Sequence, residues 1–167
     1  MVRREVFESV GWPDSRLHQL PDLDLWVRLC LRYDLHILPA KLTRFRIRAG
    51  NANASAPKIE AAIRDLFEYL KVLRHFLRIP DETTLLQIFP EAEKFTSPLF
   101  PLDEDLIPFC VARLAIGVAN NRHRIFGVET LFDLLGDPGR ARKIHDAFGY
   151  TYRDLIRDTG AFALYQT

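Results

Sequence analysis

The alternation of hydrophobic and polar positions along the chain predicts a mainly helical protein. In residues 58–79, apolar side chains recur at every third or fourth position, which is typical of an amphipathic helix with one buried face. Glycine and proline divide the rest of the chain into shorter helices. These are predicted at about residues 3–10, 22–33, 82–89, 105–120, 128–135, 138–148 and 152–159, with a polar loop or solvated turn at 120–124.

A short stretch before the long helix has a different pattern. "LHILP" and "LTRFRIR" are two runs divided by Pro39, and in the second run Arg44, Arg46 and Arg48 alternate with less polar residues. This period of two is typical of β-strands. We therefore expect a short two-stranded β element near residues 35–48, followed by an all-helical C-terminal bundle. The arginine row is either a solvated strand edge or a cradle for phosphate.

The composition is that of an ordinary globular protein. Of the 167 residues, 48 % are hydrophobic and 27 % are charged, and the formal net charge is +1. So small a net charge gives no long-range attraction for nucleic acid. No apolar run has the length of a transmembrane helix, and the opening residues "MVRREVFESV" contain no apolar signal-peptide core. Cys30 and Cys110 lie in apolar runs, so we expect two buried thiols and a reducing, cytoplasmic compartment.

The sequence "PDLDLW" places Asp22 and Asp24 at the start of a predicted helix. Three interpretations are open, namely a catalytic carboxylate, a metal-binding D-x-D, and an acidic helix start. Residues two apart on a helix face different directions, which argues against a shared metal ion. A carboxylate at a helix start is favoured by the helix dipole and can also cap the helix or act as a general base.

The first 57 residues resemble the C-terminal, acceptor-side part of a family 2 glycosyltransferase of the GT-A type. The resemblance is carried, in this order, by "RREVFESVGWPDSRL", "PDLDLWVRL" and "LPAKLTRFRIRAGNANAS". Asp22, Leu25 and Arg28 match an Asp-x-x-Leu-x-x-Arg helix start, and Arg46 falls on the arginine of an Arg-x-His element. Each motif is weak alone, whereas the ordered set is fairly specific.

The resemblance implies the inverting transfer of a sugar from a nucleotide-diphospho-sugar to an acceptor hydroxyl, as in the assembly of bacterial cell-envelope polysaccharide. It makes Asp22 the general base that removes the proton of the acceptor hydroxyl. It implies that five more residues bind the acceptor or the diphosphate, and that none of them is a metal ligand. These five are Asp24, Trp26, Arg28, Arg46 and Arg48.

The chain also departs from the family pattern. Pro21 stands where the family commonly has Glu, and Arg48 replaces the His of the Arg-x-His element, which leaves diphosphate contact open and puts metal ligation in doubt. The nucleotide-binding half with its own D-x-D, and with the Mn²⁺ or Mg²⁺ that the family uses, has no counterpart here. We therefore expect residues 1–57 to be part of a longer glycosyltransferase, residues 58–167 to be a helical extension, and the isolated chain to be inactive.

Two other functions compete with this one. The chain can be a non-catalytic helical module that binds a protein partner or a second copy of itself through the helical region. A nucleic-acid binder that uses the three arginines is a weaker alternative, because the net charge is near zero and no known binding motif is present. The partners of the leading hypothesis are a nucleotide-sugar and a saccharide or lipid-linked acceptor, in the cytoplasm or at the inner face of the membrane.

Overall fold

The computed structural model describes residues 2–44 and 58–161. Within these ranges the chain is helical, and it divides into two compact units, Met1–Val72 and Leu73–Thr167. The α-helices of the described ranges are α1 (Arg4–Val10), α2 (Pro21–Cys30), α3 (Ile59–Leu73), α4 (Glu82–Ile88), α5 (Leu106–Gly117), α6 (Asn121–Leu135), α7 (Pro138–Phe148) and α8 (Tyr152–Ala161), with 3₁₀ turns at Arg74–Arg78 and Pro90–Phe95.

The division into two units reflects which residues pack against one another, and it falls near the C-terminal end of α3. The boundary expected at residues 57 and 58 was drawn from composition and resemblance, and it stays a prediction.

The predicted two-stranded β element is wrong. Its described part, residues 35–44, contains no strand. The side chains of Ile37, Leu38 and Leu42 are exposed, so the apolar positions of this segment have no packing surface in the described chain. An alternating sequence becomes a strand only when a neighbouring backbone accepts and donates its hydrogen bonds. The remaining positions of the predicted element, with Arg46 and Arg48, lie outside the described residues.

In the first unit, α1 ends where the Gly-Trp-Pro turn predicted an end. Gly11 has a φ of 86°, which only glycine adopts easily, and its N–H donates to the carbonyl of Phe7 at 2.8 Å. The ring of Trp12 then stacks on that of Phe7 with centroids 4.8 Å apart. The turn therefore directs the chain from α1 toward α2.

In the second unit, α5 is the central helix of an all-helical bundle. Most of its residues are buried, and α6 packs along it. The two backbones approach closely at Gly127, because a Cβ atom there would lie 2.6 Å from the carbonyl oxygen of Ala112 and 2.7 Å from Cγ1 of Ile116. The C-terminal helical bundle expected from the sequence is therefore confirmed for the described residues.

The predicted helix ends of α7 are also confirmed. The side chain of Asp137 accepts the N–H of Arg140 at 2.9 Å, and Gly149 adopts a left-handed φ of 65°.

The predicted start of α6 is wrong, however. Asn120 caps this helix by accepting the N–H of Arg122 at 2.9 Å, so the polar run taken for a loop is the cap and first turn of α6. These polar positions give no apolar periodicity, and only the cap residue marks the start.

The two cysteines differ from each other. Cys110 is fully buried in α5, as expected, and burial raises the pKa of its thiol to about 12, so that it stays protonated. Cys30 is exposed at the end of α2, so the expectation of a buried thiol is wrong there.

Among the described helices, none combines the length and the apolar character that crossing a bilayer requires.

We predict that Gly127→Ala destabilises the protein. The added methyl group meets the backbone of α5, which cannot move aside as a flexible side chain would, so the loss should be about 1–3 kcal/mol. Gly160→Ala is the matched control, because a Cβ there meets nothing within 4 Å. Urea unfolding of both variants is the measurement. Equal stability of Gly127→Ala and the parent would contradict the close α5–α6 packing.

Candidate functional site

The site suggested by the resemblance begins in the first turn of α2. Pro21 is the first residue of this helix and Asp22 the second, and the N-cap is Leu20, which has no capping side chain. The Asp22 carboxylate is exposed, and its Oδ1 accepts the N–H of Leu23 at 2.9 Å. Asp22 therefore satisfies one N–H group of the first turn without being the N-cap.

The loop before α2 is held by a carboxylate from α3. Glu68 accepts three consecutive backbone N–H groups, from His18 at 2.8 Å, from Gln19 at 2.7 Å and from Leu20 at 2.8 Å. Its side chain is 1 % exposed. Burial by itself would raise the pKa of Glu68, but the three N–H donors, together with the charge of Arg64, outweigh it, and the net effect lowers the pKa below the ordinary 4.5. The ionised carboxylate therefore fixes the entry to α2.

Asp24 and Arg28 form a second anchor, one helical turn apart. The side chain of Asp24 is almost fully buried, and its Oδ2 accepts a hydrogen bond from Arg28 Nε at 2.9 Å and lies 2.7 Å from Nη2 in an ion pair. The same guanidinium donates to the carbonyl of Val10, to that of Gly11 at 3.1 Å and to that of Trp12 at 3.1 Å. Arg28 therefore ties α2 to the C-terminal end of α1.

In the turn just after α2, two more side chains reach the same end of α1. Arg32 Nη1 donates to the carbonyl of Ser9 at 2.7 Å, and the hydroxyl of Tyr33 donates to Ser9 Oγ at 3.0 Å. Carbonyls at a helix C-terminus have no partner within their own helix. Side chains from α2 and from the turn after it satisfy them here, so polar contacts join this segment to the end of α1.

The structure thus separates the proposed site residues into two pairs. Asp22 and Trp26 lie four residues apart, on one face of α2, and both are exposed, the indole by 44 %. Asp24 and Arg28 lie on another face and are engaged with the protein itself. Their assignment to the acceptor or diphosphate stays a prediction, whereas their structural role is seen directly.

Glu68 is not among the site residues predicted from the sequence. It is 48 to 50 residues away from the N–H groups that it binds. In the sequence it is one acidic residue on an amphipathic helix, and no motif or spacing connects it with Asp22.

The described residues contain no group of three or more His, Cys, Asp or Glu side chains arranged to hold a metal ion. Asp22 and Asp24 do not share an ion-binding position, since one is exposed and the other is paired with Arg28. The D-x-D of this chain is therefore two separate carboxylates.

The second unit has a cleft of about 270 Å³ between α5, α6 and the turn that follows α3. Its apolar floor includes Pro108 and Phe126, and its rim carries both signs of charge. Two of the rim residues form a long ion pair, in which Arg74 lies 3.9 Å from Glu129. The lining mixes acidic residues, such as Glu104 and Asp133, with basic ones, such as Arg140, and this mixture does not indicate one class of ligand.

Comparison with family models, with curated proteins and with solved structures gives no match for this chain. The glycosyltransferase assignment therefore rests on the residues quoted above and on the geometry around Asp22.

We predict that Arg28→Lys destabilises the protein by about 2–4 kcal/mol, because a lysine cannot bind Asp24 and three carbonyls at once, and a buried carboxylate is left underbonded. Arg16→Lys is the matched control, since Arg16 also pairs with an aspartate but is 86 % exposed, and it should change stability far less. Thermal unfolding distinguishes the two. Similar small losses would show that the Arg28 anchor is unimportant.

We also predict a pH dependence that comes from Glu68. Because its folded-state pKa lies below the ordinary 4.5, the stabilisation is complete above that pH and is lost as the pH falls through the lowered value. Glu68→Gln should lose about 2–4 kcal/mol at neutral pH, and the gap to the parent should narrow in acid. Glu60→Gln, an exposed position of α3, is the control. A gap independent of pH would contradict this role of the carboxylate.

Proposed function

We propose that this chain is the acceptor-side part of an inverting family 2 glycosyltransferase, with Asp22 as the general base. The observation that supports the proposal is that, around the start of α2, some side chains hold the backbone while Asp22 is left exposed to solvent. Glu68 holds the loop, and Asp24 and Arg28 hold the preceding turn, whereas the Asp22 carboxylate is exposed in a first turn whose dipole favours negative charge. It is thus in a position to meet an incoming hydroxyl.

In the proposed reaction the acceptor hydroxyl attacks the anomeric carbon of the donor sugar from the face opposite the nucleotide. A carboxylate oxygen of Asp22 takes the hydroxyl proton as the new C–O bond forms. The bond from the anomeric carbon to the diphosphate breaks, and its electron pair leaves with the nucleoside diphosphate. Such removal of a proton contributes on the order of 10² to 10⁴ in rate.

The neighbouring Trp26 supports a saccharide acceptor. Its indole is exposed on the same face of α2 as Asp22, four residues further on. An aromatic face beside a carboxylate can pack against the apolar face of a sugar ring while the carboxylate meets a hydroxyl. Nucleotide and divalent metal would be bound by a nucleotide-binding half of the same enzyme, and a location at the inner face of the membrane would suit a lipid-linked acceptor.

One observation favours the alternative of a protein-interaction module. The N-terminal half of α3 exposes apolar side chains on one face, with Ile59 78 % and Phe67 58 % exposed. A contiguous apolar face is typical of a surface that another chain or domain covers.

The coding sequence upstream of Met1 discriminates between the two functions. A strand-rich segment with a D-x-D favours the enzyme, and an unrelated sequence favours the module.

For the enzyme that contains this segment, we predict that Asp22→Asn lowers sugar transfer by about 10²-fold or more, because an amide cannot take up the proton. Stability should fall by less than about 1 kcal/mol, since only the bond to the N–H of Leu23 weakens. Turnover is measured beside the melting temperature.

Asp34→Asn is the control for an exposed aspartate just beyond α2. Asp24→Asn is unsuitable, because it breaks the anchor to Arg28. Normal turnover of Asp22→Asn would show that Asp22 serves the helix alone.

A further inference from the structure

We infer that Glu68 is a positioning residue for Asp22, and thus that α3 is a working part of the catalytic segment. The inference rests on the proposed function. It assigns a role to a residue outside the first 57 residues, in the region that the sequence presented only as a helical extension.

The geometry fixes the backbone on both sides of Asp22. On the N-terminal side, the N–H of Leu20 donates to Glu68 at 2.8 Å, and the carbonyl of Leu20 accepts the N–H of Asp24 at 3.0 Å. On the C-terminal side, the side chain of Asp24 is bound by Arg28. Asp22 lies between these two held residues, and its own carboxylate takes no part in either anchor.

An ionised carboxylate suits this position better than any neutral side chain. Three N–H groups converge on two oxygens, and both oxygens of a carboxylate accept. Glutamine has nearly the same shape but one accepting oxygen, and its amide nitrogen would face at least one of the donors. A buried N–H without an acceptor is costly, so the loop is expected to shift until it finds one.

Such a shift moves Asp22, because the loop ends two residues before it. A displacement of about 1 Å at a reacting group can cost on the order of 10²-fold in rate. We therefore expect Glu68→Gln to lower kcat about 10- to 100-fold in the complete enzyme. The KM for the donor should change little, since the nucleotide is bound elsewhere.

The experiment is a double-mutant cycle in the complete enzyme, measured well below the melting temperature of the least stable variant. Glu68→Gln, Asp22→Asn and the double variant are compared, with Glu60→Gln as the control on the same helix. If Glu68 acts through Asp22, then adding Glu68→Gln to Asp22→Asn lowers the residual turnover no further. A residue that only stabilises the fold would lower turnover by the same factor in both backgrounds.

Amide hydrogen exchange of the 167-residue chain gives a readout that needs no activity. The amides of His18, Gln19 and Leu20 should be protected in the parent and should exchange faster in Glu68→Gln, but not in Glu60→Gln. Unprotected amides in the parent would overturn the inference.

The kinetic outcomes separate the two proposals. Full kcat for Glu68→Gln together with a large loss for Asp22→Asn overturns the positioning role and leaves the proposed function standing. Normal turnover of Asp22→Asn overturns both. Additive losses in the double variant overturn the positioning role alone.

Discussion

The buried carboxylate of Glu68 is the constraint on which the first unit depends. Removing a charged group from water is costly unless hydrogen bonds replace its hydration. Three backbone N–H groups supply this replacement, and in doing so they fix the loop of residues 18–20 against α3. Leu20, whose N–H is one of the three, is also the N-cap of α2, so this contact holds the residue at which the helix starts. The unit is therefore ordered by a few polar anchors, of which the Asp24–Arg28 pair is the second.

These anchors bear on how a helix start can also be a catalytic site. A residue that supplies the main cap of a helix has its carboxylate occupied by backbone N–H groups. Here the entry to α2 is held by a residue from another helix, and Asp22 contributes one bond, to the N–H of Leu23. Its exposed carboxylate can therefore serve a substrate without loss of the helix. By the same reasoning Asp24 has a structural role, since its carboxylate is paired with Arg28.

The sequence predicts well where the physics is local, and less well where it is not. Asp137 and Gly149 bound α7 as expected, because a cap and a left-handed turn are decided by adjacent residues. Asn120 carried the same kind of signal for α6, but the polar first turn concealed it. The strand prediction failed in residues 35–44 because a local run of apolar and polar residues says nothing of a pairing partner. Glu68 could not be predicted at all, since its partners are close only in the folded chain.

The two units illustrate different ways of stabilising helices, and the difference bears on function. In the second unit, α5 and α6 pack so closely that Gly127 leaves no space for a methyl group, which is typical of a self-sufficient apolar core. In the first unit, Leu29 and Val72 are the buried apolar residues of the described part, polar anchors hold the helices, and Ile59 and Phe67 are exposed. Apolar surface of this kind is stable in water only at a cost, and covering it is favourable. A nucleotide-binding half or a protein partner would supply such a cover.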